Sequence, residues 1–192
     1  DKALRIAGLK ACLKRTIRVD KNYRMDAPAL VEAIANDKKS GLRPWLVVAS
    51  AGTTNTGSVD PMPAIGDIAH THQLWLHIDG AYGAFFALCE AGKKILSGME
   101  KSDSITMDPH KTLFLPYGSG AVLVKDRQKM YEAHYYQADY MQDALEAGEE
   151  FSPADLSPEL TRHFRGLRLW LPLKLLGVAP FRAVLEEKML LT

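Results

Sequence analysis

The period of the apolar positions changes repeatedly along this chain, and each change predicts an element. Leu4, Leu9 and Leu13 stand at helical spacing among charges, so residues 1–13 are expected to form a short helix. TIRVD at 16–20 reads as a strand by its branched residues. Asp26 then caps a helix with Pro28 in its first turn and Leu30, Val31 and Ile34 on its apolar face, and KKSGLRP ends it. WLVVAS at 45–50 is a continuous apolar strand that runs into AGTTNTG, a loop of glycine and hydroxyl residues. Pro63 and Ile65 open the next helix, which runs through about His72, and the strands LWLHID at 74–79 and SITM within 103–107 follow. GSGAVLVKD at 118–126 comes too soon for a crossover helix, so this strand is expected to enter antiparallel. Residues 127–160 are polar, acidic and tyrosine-rich and predict a long excursion. From Leu160 to Leu176 the pattern is again amphipathic and helical, broken near Pro172 and ended by Gly177.

Uninterrupted apolar strands alternating with helices predict an α/β fold, with a mainly parallel sheet and helices on both faces. The length of 192 residues suffices for one domain with a real core. The chain begins on Asp1 without a methionine and stops while the helical run PFRAVLEEKMLL is in progress, so it is read as a piece of a longer polypeptide.

Composition narrows the function classes. With 24 Lys and Arg against 23 Asp and Glu the formal net charge is +1, which gives no electrostatic case for a nucleic acid or an acidic membrane. No apolar run approaches the roughly 18 residues of a spanning helix, and DKALRIAGLK lacks a stretch of signal length. Cys12 and Cys89 read as two thiols of a cytoplasmic protein rather than as a staple.

Open α/β sheets bind ligands beyond the carboxyl ends of their strands. Three candidate groups fall there: Gly52 to Gly57, Asp79, and Asp108 to Lys111. Taken singly, Asp79 is compatible with a helix cap and Lys111 with a solvated amine. Together they bring a carboxylate, an imidazole, an amine and several hydroxyls to one edge. An amine that spends time unprotonated can hold an aldehyde as an imine, and His110 beside Lys111 suits such a site. A carboxylate such as Asp79 can keep a pyridine nitrogen protonated, so that the ring accepts electrons released from a substrate alpha carbon. His70, His72 and His77 lack the carboxylate or cysteine spacing of a zinc site, and the 52–58 loop lacks the Gly-Lys-Ser/Thr ending of a Walker motif. No metal is expected.

The stretches VASAGTTNTGSVDP, WLHIDGAYG, DSITMDPHK and RHFRGLRLW resemble the group II pyridoxal-phosphate decarboxylases. That family includes the aromatic amino acid, histidine, glutamate and cysteine-sulfinate decarboxylases. The likeness implies a large domain of the fold type I pyridoxal-phosphate-dependent transferase kind. Residues 1–176 would be its central part, with a mobile catalytic loop around 130–155, and 177–192 the start of a connection to a C-terminal small domain. It further implies decarboxylation of an L-amino acid substrate to its amine and carbon dioxide, with pyridoxal 5'-phosphate covalently bound to Lys111. The expected assembly is a homodimer of the full-length protein, or companion fragments of the same polypeptide, and this chain alone is not expected to be active.

By the same resemblance, His110 matches the histidine before the cofactor lysine, and Asp79 the carboxylate paired with the pyridine nitrogen. Ala81 matches the small residue against one face of the ring, and Thr54 a threonine of the GTT motif that helps hold the cofactor. Tyr140 matches the loop tyrosine that protonates the substrate carbon after carbon dioxide leaves. Arg162 lies in a family-like helix start without an assigned role. Transamination, carbon–carbon cleavage and a catalytically silent structural homologue remain alternatives. Two residues depart from the family pattern. Asp108 stands where relatives often carry an asparagine near the phosphate, and an aspartate there must turn away or leave the phosphate to other groups. Gly80 replaces the commoner alanine, a change of little expected weight.

Overall fold

In the computed structural model, residues 2–135 and 152–191 are described. Their centre is a four-stranded sheet in the order β1 (Leu46–Ser50), β2 (Trp75–Asp79), β3 (Ser104–Met107), β4 (Ala121–Val124). β1, β2 and β3 are parallel, and β4 returns antiparallel to β3 as its short connection requires. The helices are α1 (Lys2–Ile6), α2 (Ala27–Lys39), α3 (Met62–Thr71), α4 (Glu90–Ile95), α5 (Pro109–Thr112), α6 (Arg127–His134), α7 (Leu167–Leu176) and α8 (Ala179–Leu190).

Alternation along the strands decides which face is dry. Val47, Ala49, Leu76 and Ile78 turn to one side, where Leu30 and Ile34 of α2 and Met62, Ile65 and Ala69 of α3 close over them. Each large side chain buried in this way contributes about 1.5–3 kcal/mol of transfer free energy. Asp26 starts α2 by accepting the Ala29 N–H at 2.9 Å, and Pro28 fits the first turn because no helical N–H is needed there. The opposite face carries Val48, Trp75, His77 and Asp79; Val48 is 49% exposed, and Lys129 of α6 reaches over the Trp75 ring at 5.6 Å.

A second core joins distant parts of the chain. Leu185 of α8, fully buried, meets Cys89, Leu113 and Leu115, with Phe85 and Phe181 packed around them. Arg182 Nε donates to the Leu88 carbonyl at 2.8 Å, and the Cys89 thiol donates to the Arg182 carbonyl at 3.7 Å. Residues 177–191 thus include a helix seated on the segment that follows the Lys111 turn. Cys12 and Cys89 are both free thiols. Among the described residues no helix is long and apolar enough to cross a membrane.

Four expectations change. Residues 16–20 form no sheet strand, only a single antiparallel bridge between Val19 and Met25. The reason lies in Asp20, whose carboxylate accepts the Asn22 and Arg24 N–H groups at 2.8 and 3.0 Å and so folds the chain into a turn. The first helix stops at Ile6, and Gly8 (φ 74°) follows in the left-handed region. The 127–160 excursion begins with a true helix, α6, because Asp126 accepts the Gln128 and Lys129 N–H groups at 3.0 and 3.3 Å. Finally, α7 starts only at Leu167 and passes through Pro172 instead of breaking there.

Gly83 shows how closely this unit is packed. A Cβ at Gly83 would collide with the Ala51 carbonyl, whereas one at Gly166 would meet nothing nearer than Phe164 Cε2 at 3.4 Å. Gly83→Ala should therefore destabilise the protein by at least about 2 kcal/mol, with Gly166→Ala within about 0.5 kcal/mol of the parent. Chemical denaturation of the two variants measures the difference, and equal midpoints would refute this account of the close approach.

Candidate active site

Parallel pairing brings the carboxyl ends of β1, β2 and β3 side by side. Ser50 pairs with Asp79, and Asp79 with Thr106. The pairing continues beyond the strands: Ala51 N–H donates to the Asp79 carbonyl at 2.9 Å, Gly80 N–H to the Thr106 carbonyl at 2.9 Å, and Asp108 N–H to the Ala81 carbonyl at 3.2 Å. Residues 79–81 are thereby held between the loop after β1 and the turn that leads to Lys111. The Asp79 side chain stands exposed, one carboxylate oxygen accepting the Ala81 N–H at 3.2 Å.

Gly80 has a steric reason that its sequence context did not reveal. A Cβ there would lie 2.7 Å from Ala84 Cβ and 3.0 Å from the Thr106 carbonyl oxygen. The glycine is what lets the backbone pass between β3 and the turn at Ala84.

After β1 the chain enters the Ala51–Val59 loop, where Gly52 takes a positive φ of 92°. Its hydroxyls bond mainly to one another: Thr53 Oγ1 lies 2.7 Å from Thr56 Oγ1, which lies 2.7 Å from Ser58 Oγ. Thr54 is exposed beside this network. Asp60 anchors the loop, and the sequence analysis missed it. Its buried carboxylate accepts the Met25 N–H at 2.6 Å and the Ser50 N–H at 2.8 Å, which ties α2's approach to the end of β1. The only sequence signal was an acidic residue between Val59 and Pro61.

After β3, Asp108 occupies the N-cap of α5 without making a capping bond. Its carboxylate instead takes Lys111 Nζ at 2.8 Å, with His110 Nε2 at 3.9 Å. The carboxylate is mostly covered, while the Lys111 side chain remains 44% exposed. A Cβ at Gly120 would lie 3.0 Å from Asp108 Oδ1, so glycine leaves room for the carboxylate. His110 packs against Tyr117 with ring centroids 5.1 Å apart, and its Nδ1 is buried with no hydrogen-bond partner among the described residues. The departure at Asp108 thus resolves as an ion pair with the neighbouring lysine.

The structure therefore gathers Asp79, Ala81, His110 and Lys111 at adjoining strand ends, with Thr54 on the next loop. Tyr140 lies outside the described residues. One exposed carboxylate and one accessible amine flank a small residue at a sheet edge, a donor set suited to a planar ring that bears both an aldehyde and a basic nitrogen.

Comparison with known proteins agrees with this chemistry. Residues 1–192 match the pyridoxal-dependent decarboxylase conserved domain. The aromatic-L-amino-acid decarboxylase of Bacillus atrophaeus is 38% identical over 192 residues, which is all of this chain and 40% of that protein. Tryptophan decarboxylase 2 of Oryza sativa subsp. japonica is 33% identical over 190 residues, 97% of this chain and 38% of that protein. The crystal structure of Oryza sativa TDC with PLP and tryptamine superposes with a TM-score of 0.89 at 33% identity, covering 95% of this chain and 38% of that one. This chain spans about two fifths of the length of these relatives, and it belongs to the pyridoxal-dependent decarboxylase family.

Proposed function

We propose that this chain carries the cofactor-holding centre of an enzyme that decarboxylates an L-amino acid to its amine and carbon dioxide, using pyridoxal 5'-phosphate. The observation that carries this reading is the placement of Asp79 and Lys111 beyond adjacent parallel strands, β2 and β3, in a member of this family. When bound, the cofactor supplies an electron sink for the bond broken at the substrate alpha carbon.

The chain's own groups have distinct tasks in this reading. Lys111 holds the cofactor aldehyde covalently, for which its amine must first leave Asp108. Asp79 keeps the ring nitrogen protonated, and the small Ala81 leaves space for one ring face. Thr54 helps to position the cofactor. His110 offers a buried nitrogen that lacks a partner among the described residues, and a polar group of a bound ligand would relieve that cost. Tyr140, on the strength of the sequence resemblance, returns a proton to the alpha carbon once carbon dioxide has left. The full-length protein is proposed to act as a homodimer.

Borohydride reduction of the full-length protein loaded with pyridoxal phosphate should leave a pyridoxyl mass on the Lys111 peptide. Lys111→Ala should remove that label and lower amine production on the order of a thousandfold or more. A label on Lys93, Lys101 or Lys125 instead would overturn the assignment. Asp79→Asn should slow the reaction on the order of a hundredfold while the covalent label persists, since the attachment does not depend on the carboxylate. Tyr140→Phe should keep the cofactor and lose most amine formation, and unchanged amine formation would take Tyr140 out of the mechanism. Because one relative, 30% identical, is a phenylacetaldehyde synthase of Arabidopsis thaliana, the assay should measure aldehyde as well as amine. Stoichiometric conversion of substrate to a keto acid would favour transamination, and failure to form any imine absorption band would favour a silent homologue.

A further inference from the structure

The open face of the sheet carries a chain of polar contacts that ends beside Asp79. Trp75 Nε1 donates to Ser104 Oγ at 2.8 Å, and Ser104 Oγ lies 2.9 Å from His77 Nδ1. The other ring nitrogen, His77 Nε2, lies 3.2 Å from Thr106 Oγ1. Thr106 is the cross-strand partner of Asp79, and His77 precedes Asp79 by two residues on the same face of β2.

Donor arithmetic fixes the direction of this chain. The Trp75 indole nitrogen can only donate. Ser104 is buried, and among the described residues its hydroxyl has only Trp75 and His77 as side-chain partners. Its proton therefore has one acceptor available, His77 Nδ1. A neutral imidazole that accepts at Nδ1 carries its proton at Nε2, and this proton goes to Thr106 Oγ1. Each hydroxyl in such a chain is polarised by the donor before it.

We propose that Trp75, Ser104 and Thr106 position His77 as the neutral Nε2–H tautomer, and that this keeps the Asp79 carboxylate free of a neighbouring cation and available to a ring nitrogen. The inference rests on the proposed function for the identity of that ring. Its chemical content is electrostatic. A protonated His77 would compete for Asp79, whereas a neutral ring with both nitrogens committed does not. Burial acts in the same direction, holding the His77 pKa below its ordinary 6.5 against the opposing charge of Asp79. The other charged groups nearby are Lys129 of α6, over the Trp75 ring, and Asp103, whose carboxylate accepts the Leu76 N–H at 2.7 Å.

The test uses the full-length protein with 13C-labelled histidine, His77 being assigned by the loss of its signal in His77→Gln. In the parent, His77 should show the Nε2–H tautomer and stay neutral to lower pH than a free imidazole does. Ser104→Ala removes the donor to Nδ1, so His77 should protonate on acidification. In that variant the dissociation constant for pyridoxal phosphate should rise about fivefold or more between pH 8 and pH 6, relative to the parent. Ser104→Thr restores the hydroxyl and should restore the parent's histidine signal. An Nδ1–H tautomer in the parent, or parent-like titration and affinity in Ser104→Ala, would overturn the inference. The tautomer is measured without cofactor, so it decides the network even where pyridoxal phosphate fails to bind, an outcome that counts against the proposed function instead.

Discussion

Everything at the candidate site depends on β2 lying between two parallel neighbours. Parallel pairing aligns the carboxyl ends of three strands, so residues far apart in sequence leave the sheet at one edge. An antiparallel β2 would have sent Asp79 to the opposite end from Lys111. Beyond the strands, backbone hydrogen bonds from Ala51, Gly80 and Asp108 carry the alignment through the first turns. Such bonds form only where the backbones approach closely, and Gly80 and Gly83 stand at the two tightest approaches of this edge. The loops of the site are thus still paired where the strands end.

The two faces of the sheet divide the physical work. One face is a dry core of Val47, Ala49, Leu76 and Ile78 against α2 and α3, which supplies much of the unit's hydrophobic stabilisation. On the other face, polar side chains occupy positions at the same period of two, and Trp75 and His77 of β2 find their partners on β3, in Ser104 and Thr106. A half-buried imidazole without such partners would carry a desolvation cost with nothing to offset it. Satisfied on both nitrogens, it becomes a fixed dipole next to a carboxylate.

Much of this was legible in the sequence, and the losses have identifiable causes. Apolar runs located all four strands to within a few residues, the parallel β1, β2 and β3 and the antiparallel, more exposed β4 alike. Asp79 and Lys111 were visible because one ends such a run and the other stands four residues past the next. Residues 16–20 misled because branched residues suit a strand only if no turn intervenes, and Asp20 makes one through its own carboxylate. Pro172 was read as a break, yet a proline in a helix costs one hydrogen bond and a local clash, and tertiary context can absorb both. Asp60 and the His77 contacts were not legible at all. Their partners lie 10 to 35 residues away, and nothing in local spacing reports a hydrogen bond across strands.

Asp108 brings the sequence and the structure closest to one another. Read alone, a carboxylate in place of an amide near a phosphate looks like a defect, since like charges repel. In the fold its side chain is mostly covered and turned onto Lys111, with glycine at position 120 leaving the room it needs. An asparagine could accept a hydrogen bond from the same amine but would not neutralise its charge. A carboxylate at this position therefore both accepts the hydrogen bond of the Lys111 amine and balances its charge. The substitution and its setting make sense together: the pair needs a short turn with positions 108 and 111 on one side, and the Pro109–Thr112 helical turn after β3 provides it.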